Sequence, residues 1–349
     1  AALRGFDQPF NQAPSLHIAL VVILWDLYRR LITGRWARAL LHAWAMLICL
    51  SVLTTYQHHF IDIPTGALLG VVCVWAWPLE RRVSMWRAWA LSGDSQRQRL
   101  GARYAFGAAL FAAAAAVSFV VGWHWGLWLC WPAVSLLAVA LIYLGFGARG
   151  FQMDRAGRMA WPARWLLAPY RLGAWLNARA WTRRQPAVRE VGPGVWLGSL
   201  SRTAARDLAA VPGRIRVLSL CAELQTPRRH PGLCLPWLDL VPACAPGLRR
   251  AADDIDRALA RGDTVLVACA LGFSRSAAVV VCWLARSGRA RGVDDALMQL
   301  RQVHPQLVLG PRWMSALQQA CRPPAGVRGG LAAVAPVFNA AHLRPEVAP

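Results

Sequence analysis

The sequence predicts a multi-domain architecture, an all-α bundle of transmembrane helices followed by an α/β domain. Three observations carry that expectation. Hydrophobic residues make up 56% of the 349 residues, and before position 147 they gather into five long apolar segments. From Val188 onward, short valine- and leucine-rich runs alternate with amphipathic helical patterns, as strands covered by helices do. The arginines fall between the apolar segments rather than inside them, so charge and hydropathy divide the first half in the same way.

The segments run over about 15–27, 39–56, 63–79, 104–123 and 127–146. A spanning helix needs roughly 20 apolar residues. The fourth and fifth meet that length, and the second and third come close. The first is short and carries Asp26, with Tyr28, Arg29 and Arg30 placed to snorkel and extend it. Arg29, Arg30, Arg35 and Arg38 follow segment one; Arg81, Arg82, Arg87, Arg97, Arg99 and Arg103 follow segment three; Arg149, Arg155 and Arg158 follow segment five. Residues 57–62 and 124–126 carry no Arg. The positive-inside rule then places the three basic loops in the cytoplasm and the other loops, with residues 1–14, on the outer face.

Composition narrows the partners. The 19 tryptophans suit membrane interfaces. Formal net charge is +22, and all 39 basic residues are Arg. On a membrane protein this implies cytoplasmic surfaces lying against anionic lipid. No basic stripe interleaved with aromatics occurs, so a lipid bilayer is the expected partner and nucleic acid is not. The nine cysteines form neither close pairs nor a Cys-x2-Cys zinc spacing. Cys49, Cys73 and Cys130 lie in apolar spans and the others in the half assigned to the cytosol, where thiols stay reduced. No metal or other cofactor is expected. The chain opens on Ala1 without a charged, then apolar, leader, and reads as a fragment whose N-terminal part lies upstream.

The expected organisation is residues 1–80 for the first three segments, 81–103 for a basic cytoplasmic loop, and 104–146 for two further transmembrane helices. Residues 147–187 mix Arg with Trp161, Trp165, Trp175 and Trp181. They read either as an amphipathic connector on the inner leaflet or as the first helices of the α/β domain. That domain occupies 188–322, with helical patterns at 248–261 and 293–303. The tail, 323–349, is rich in Pro, Ala and Gly and reads as disordered.

The densest chemistry lies in Val265-Leu-Val-Ala-Cys-Ala-Leu-Gly-Phe-Ser-Arg-Ser276. Val265 to Ala268 read as a buried strand, and Ala277 to Leu284 as the body of a helix. The loop between them would point the backbone N–H groups of Ala270, Leu271, Gly272, Phe273 and Ser274 into one hollow, where the helix dipole adds positive potential. Such a hollow binds a phosphate dianion and favours the thiolate of Cys269. Arg275 offers a planar fork to two phosphate oxygens.

Cys-x5-Arg-Ser after a strand resembles the phosphate loop of the cysteine-dependent phosphatases, closest to the dual-specificity group. Val195-Trp-Leu-Gly-Ser-Leu200 and Val217-Leu-Ser-Leu-Cys-Ala-Glu223 resemble that family's opening strands, and the likeness extends over roughly residues 188–321. It implies an α/β phosphatase fold in which Cys269 forms a thiophosphate, Arg275 clamps the phosphoryl group and Ser276 assists departure of Cys269. Asp239, thirty residues upstream in Leu235-Pro-Trp-Leu-Asp-Leu-Val-Pro242, stands where the family keeps its general acid. One departure is Ala268, where the family usually has a His that helps position the nucleophile. A module that binds phosphorylated ligands without turnover is therefore the alternative.

A second constellation lies at the segment ends. Asn11-Gln-Ala-Pro-Ser-Leu-His17 enters segment one, and Thr54-Thr-Tyr-Gln-His-His-Phe-Ile-Asp62 leaves segment two. Pro14 and Ser15 suit a helix start, which puts His17 in the first turn. His58 and Asp62, four apart, allow a carboxylate to hold an imidazole in one tautomer, and the charge argument puts His17 and His58 on the same face. These residues resemble the type-2 phosphatidic acid phosphatase superfamily, in its Pro-Ser-x-His and His-x3-Asp elements. The resemblance covers about 1–80, as the C-terminal part of such a domain. It implies that His58 forms a phosphohistidine, Asp62 orients it and His17 protonates the leaving alcohol. The family's Lys and Arg clamp is absent from this stretch, and Val52 stands where Arg is common, which is closer to lipid phosphotransferases. His59 is a rival nucleophile. The two resemblances together describe a bacterial inner-membrane fusion, with the Cys269 domain cytoplasmic and His17 and His58 on the periplasmic or extracellular face. Its expected substrates are phosphorylated lipids or phosphoproteins.

Overall fold

The computed structural model describes residues 14–54, 62–79, 85–202, 208, 211–227 and 229–322. The chain divides into two compact units, Ala1–Gln152 with Ala160–Tyr170, and Met153–Met159 with Arg171–Pro349. The stretch 147–187, expected to lie on the membrane or to open the α/β domain, is thus shared between both. The expected tail at 323–349 falls outside the described residues.

The first unit is helical. Its elements are α1 (Leu16–Leu31), α2 (Arg35–Thr54), α3 (Asp62–Ala76), α4 (Ser95–Val120), α5 (Cys130–Leu141) and α6 (Trp161–Leu166). A π-helical turn at Ile142–Phe146 and a 3-10 turn at Gly147–Phe151 prolong α5. Among the described residues, three stretches are long and apolar enough to cross a membrane: Arg35–Thr54, Ser95–Val120 and His124–Phe151. The α1 and α3 helices have 16 and 15 residues, short of a full span. They lie side by side in parallel, with Gly66 against Ser15 and Ile18 and Gly70 against Ala19 and Val22. A Cβ on Gly66 would come 2.5 Å from the Ser15 carbonyl, so only glycine permits this approach. Asp26, a lone charge in its apolar segment by sequence, is fully buried and neutralised. It pairs with Arg29 at 2.6 Å and Arg30 at 2.8 Å, and Trp161 Nε1 donates to it at 2.6 Å.

A seventh helix, α7 (Ala168–Thr182), crosses the division between the units. The second unit is built on a five-stranded sheet of β1 (Val188–Gly192), β2 (Val195–Ser199), β3 (Ile215–Cys221), β4 (Gly232–Trp237) and β5 (Thr264–Cys269). The order is β1-β2-β5-β3-β4, with β1 antiparallel to β2 and all other pairs parallel. Pro236 is tolerated because β4 is an edge strand. The turn at 153–159 lies along that edge, where Cys234 N donates to the Arg155 carbonyl at 2.8 Å.

The central strand β5 separates two cores by the period-2 alternation of its side chains. Val265, Val267 and Cys269 join the larger core, while Leu266, Ala268 and Ala270 join a smaller one with Ala178, Ile215, Val217 and Cys221. The larger core is covered by α8 (Ala245–Leu259), α9 (Arg275–Arg286), α10 (Val293–Val303) and α11 (Pro311–Cys321). Helix α8 buries Leu248, Ala251, Ala252, Ile255 and Ala258, a one-sided apolar stripe. In α9 every residue from Arg275 to Leu284 is buried, which explains its unbroken apolar run.

Candidate active site

The two halves of the motif are held by the elements the sequence predicted. Cys269 is the last residue of β5, and Arg275 is the first of α9. The chain turns between them at Gly272, whose φ of +88° belongs to the left-handed region that glycine adopts without steric cost. A Cβ there would also press on the Gly198 carbonyl of the adjacent strand at 3.1 Å. The turn brings the Gly272 N–H to 3.2 Å from Cys269 Sγ, and Ser276 Oγ also lies 3.2 Å from that sulfur. Cys269 itself is 1% exposed.

Two ties orient the loop backbone. Ser199 Oγ donates to the Ala270 carbonyl at 2.5 Å, and Val308 N donates to the Phe273 carbonyl at 2.9 Å. In a planar trans peptide, the N–H points opposite to the C=O. The N–H groups of Leu271 and Ser274 are thereby directed away from these ties. Ser199 is backed by buried hydroxyls, Ser201 Oγ at 2.7 Å and then Thr182 Oγ1 at 3.4 Å from Ser201. Ala268, where the resemblance led one to expect His, faces the smaller apolar core on the other side of the sheet. The hydroxyl chain meets the loop from β2 instead.

Arg275 is 1% exposed and surrounded by acceptors. Its Nη1 donates to Glu223 Oε2 at 3.0 Å and to the Trp237 carbonyl at 3.0 Å. Its Nη2 lies 2.6 Å from Glu223 Oε1 and 2.9 Å from Asp239 Oδ1. The Nη1/Nη2 edge is therefore occupied by Glu223. The buried Nε has no hydrogen-bond partner, and together with the Nη2 N–H that faces Asp239 it forms the second edge of the fork.

The electrostatics follow from this geometry. Burial opposes the charge on Glu223, yet the guanidinium of Arg275 outweighs it and holds the carboxyl below the ordinary range. Burial would lower Arg275 as well, but Glu223 and Asp239 hold it firmly protonated. Asp239 goes the other way. Burial pushes its carboxyl up, Arg275 opposes this and Glu223 adds to it, leaving Asp239 above the usual aspartate value. Leu240, directly after it, is held at φ +59°, a conformation that costs a non-glycine residue on the order of 1–2 kcal/mol.

Cys269, Gly272, Arg275, Ser276 and Asp239, scattered over thirty-eight residues of sequence, thus converge. Ala270, Leu271, Phe273 and Ser274 form the loop around them. Sequence reasoning did not single out Glu223 or the Ser199–Ser201–Thr182 chain. The available signal for Glu223 was a carboxylate two residues after a largely buried strand, a position that requires a cationic partner. No such signal marks the serines, whose partner is a backbone carbonyl in another strand's loop.

In the helical unit, His17 lies in the first turn of α1 and is exposed, while Asp62 is the first residue of α3 and is 2% exposed. Parallel packing of α1 and α3 puts these two helix starts at the same end of the pair. His58 and its rival His59 lie outside the described residues. No group of three or more His, Cys, Asp or Glu able to hold a metal ion occurs among the described residues.

Comparison with known proteins bears on the second unit. Residues 225–322 match the family model described as dual specificity phosphatase, catalytic domain. The chain is similar in structure to Tk-PTP in its active form, with 23% identity and a TM-score of 0.35 over 39% of this chain and 97% of that one. It is similar to human DUSP28, with 26% identity and a TM-score of 0.34 over 39% and 93% of the two chains. It is also similar to PTPMT1 in complex with PI(5)P, with 18% identity and a TM-score of 0.35 over 39% and 94%. Cys269, Arg275, Ser276 and Asp239 fall inside the matched family segment, whereas Ser199 and Glu223 precede it. Residues 225–322 of this chain are a dual specificity phosphatase catalytic domain.

Proposed function

We propose that the protein is a membrane-anchored phosphatase that hydrolyses phosphomonoesters through a covalent thiophosphate on Cys269. The observation that carries this reading is the pair of contacts on Cys269 Sγ, the Gly272 N–H and the Ser276 hydroxyl, each at 3.2 Å. Both groups sit where an N–H or O–H can donate to the sulfur of the attacking nucleophile. An incoming phosphate dianion takes the Nε and Nη2 edge of Arg275 and displaces Asp239 from it. Sulfur attacks phosphorus, an S–P bond forms and the ester P–O bond breaks. Asp239, freed and protonated, delivers its proton to the leaving oxygen. Water then attacks the thiophosphate and gives a proton to Asp239, while Ser276 donates to the departing sulfur. The loop amides and Arg275 stabilise the charge on the equatorial oxygens throughout.

Single-turnover kinetics on the full chain with an aryl phosphate test this. Cys269→Ser should eliminate turnover and still bind inorganic phosphate. Full activity in that variant would end the covalent mechanism, and phosphate binding without turnover by the wild type would favour the binding module.

A second reading assigns a lipid-phosphate phosphatase or phosphotransferase site to the helical unit. It is supported by the parallel pairing of α1 with α3, which sets the starts bearing His17 and Asp62 at one end. In this reading His58 is the nucleophile, on the face of a bacterial inner membrane opposite to Cys269. His58→Ala or Asp62→Ala should abolish lipid-phosphate turnover and His59→Ala should not. An impermeant thiol reagent should label a cysteine placed at Gln57 but not one at Arg189 in intact cells. The reverse labelling overturns the orientation.

A further inference from the structure

Away from the Cys269 site, the structure holds a second pair of thiols in contact. Cys282 lies in the middle of α9 and is fully buried. Cys321 is the last residue of α11 and is half-buried. Their sulfurs are 3.9 Å apart, although the residues are 39 apart in the chain. Both are free thiols. A disulfide has an S–S bond of ~2.05 Å, so the sulfurs must close by roughly 2 Å. Cys321 stands at a helix end, where a side-chain rotation meets the least resistance.

The surroundings of the two sulfurs differ. The hydrogen-bonded contact with Cys282, with burial opposing and Arg286 and Arg249 adding, holds Cys321 below the ordinary thiol range. Arg249 approaches this helix end through its hydrogen bond to the Gln319 carbonyl at 3.3 Å. The same contact and burial push Cys282 up. One thiol is thus accessible and disposed to ionise, and its neighbour is buried and protonated.

We propose that Cys321 and Cys282 form a peroxide-responsive disulfide site that joins α11 to α9. The Cys321 thiolate attacks one oxygen of hydrogen peroxide; an S–O bond forms, the O–O bond breaks, and the departing hydroxide takes up a proton to become water. The Cys282 sulfur then attacks the sulfenic acid. An S–S bond forms, the S–O bond breaks, and the second hydroxide leaves as water with the proton of Cys282. Two thiols are oxidised by two electrons in all, and one peroxide is reduced to two waters. The link closes a long loop and fixes the final helix to the helix that starts with Arg275 and Ser276. It should raise the midpoint of thermal unfolding of the phosphatase unit by at least about 5 °C.

The test is oxidation of the purified full chain with a small excess of hydrogen peroxide, then alkylation and non-reducing peptide mapping. The expected product is a joined pair of peptides carrying Cys282 and Cys321, two hydrogens lighter than their sum and separated by dithiothreitol. It should also form in Cys269→Ser, which keeps the result independent of the phosphatase reading. It should be absent in Cys321→Ser, a substitution at a half-buried helix end that leaves the core intact. Oxidation of Cys321 to the sulfinic acid without a link overturns the proposal. So does a link from either residue to any other cysteine, or oxidation of Cys269 with Cys282 and Cys321 both still alkylatable.

Discussion

The carboxylate of Glu223 meets both terminal nitrogens of Arg275, at 2.6 and 3.0 Å, with neither side chain more than 3% exposed. This two-point contact decides which edge of the guanidinium faces the hollow beside Cys269. Removing one partner of a buried pair leaves the other charge uncompensated, which costs about 3–5 kcal/mol. Glu223→Gln should therefore lower stability by that order, read as a shift in denaturant midpoint. In variant molecules that remain folded, KM for an aryl phosphate should rise more than kcat falls, because the fork loses its orientation. Arg275→Lys should lose both binding and rate, since an ammonium offers no edge.

Asp239 shares Arg275 with Glu223 and is held above the ordinary aspartate range. A raised carboxyl stays protonated to higher pH, as a proton donor requires. The rate limb set by its ionisation should lie above the normal carboxylate range, with kcat/KM falling as pH rises through it. Asp239→Asn should remove that limb. It should slow an alkyl phosphate by roughly 10²–10⁴-fold and leave an aryl phosphate with a good leaving group much less affected.

Ser199 donates to the Ala270 carbonyl from a buried position. Ser199→Ala leaves that carbonyl without its partner, at a cost of about 1–3 kcal/mol. Because the carbonyl belongs to the loop between Cys269 and Arg275, the proposed mechanism expects kcat to fall as well as stability. Ser199→Thr, which restores a hydroxyl, should recover activity in part. A loss of stability with kcat unchanged would show that the hydroxyl chain serves packing alone.

His304 packs on Phe273 with ring centroids 5.4 Å apart and is 4% exposed. Burial, with Arg189 adding, lowers its imidazole from 6.5 to about 4. A lowered value means that the folded state resists protonation. The stability contribution is complete above pH 6.5 and is lost as pH falls from there toward 4, by roughly 3 kcal/mol in full. His304→Gln should flatten that part of the pH–stability curve in urea titrations. An unchanged slope would remove His304 as its source.

Much of the second unit was legible in the sequence. The run Val265-Leu-Val-Ala is a strand covered on both faces, and its expected span differs from β5 by one residue at each end. The helix expected over 293–303 is α10, and the one expected over 248–261 begins three residues earlier, at Ala245. Local pattern suffices there because burial on a sheet imposes a period of two and burial of one helix face a period near 3.6. The first half was legible as apolar segments, but not in its pairings. Asp26 reads as a flaw in segment one until Trp161, 135 residues later, is seen to donate to it.

Linear order alone places the local chemistry: Cys269 and Arg275 at the spacing of one loop, Gly272 where only glycine turns, and Asp239 upstream. The groups that face them come from the packing of distant elements. Glu223 reaches Arg275 because β3 and β5 are neighbours in parallel, with Ser219 beside Ala268. Ser199 reaches Ala270 because β2 ends level with Cys269 on the other side. Cys282 meets Cys321 only where α9 and α11 share a core. Spacing along a chain fixes contacts within a turn or a loop. Contacts between strands and helices depend on sheet order and register, which arise from burying all of the apolar faces at once.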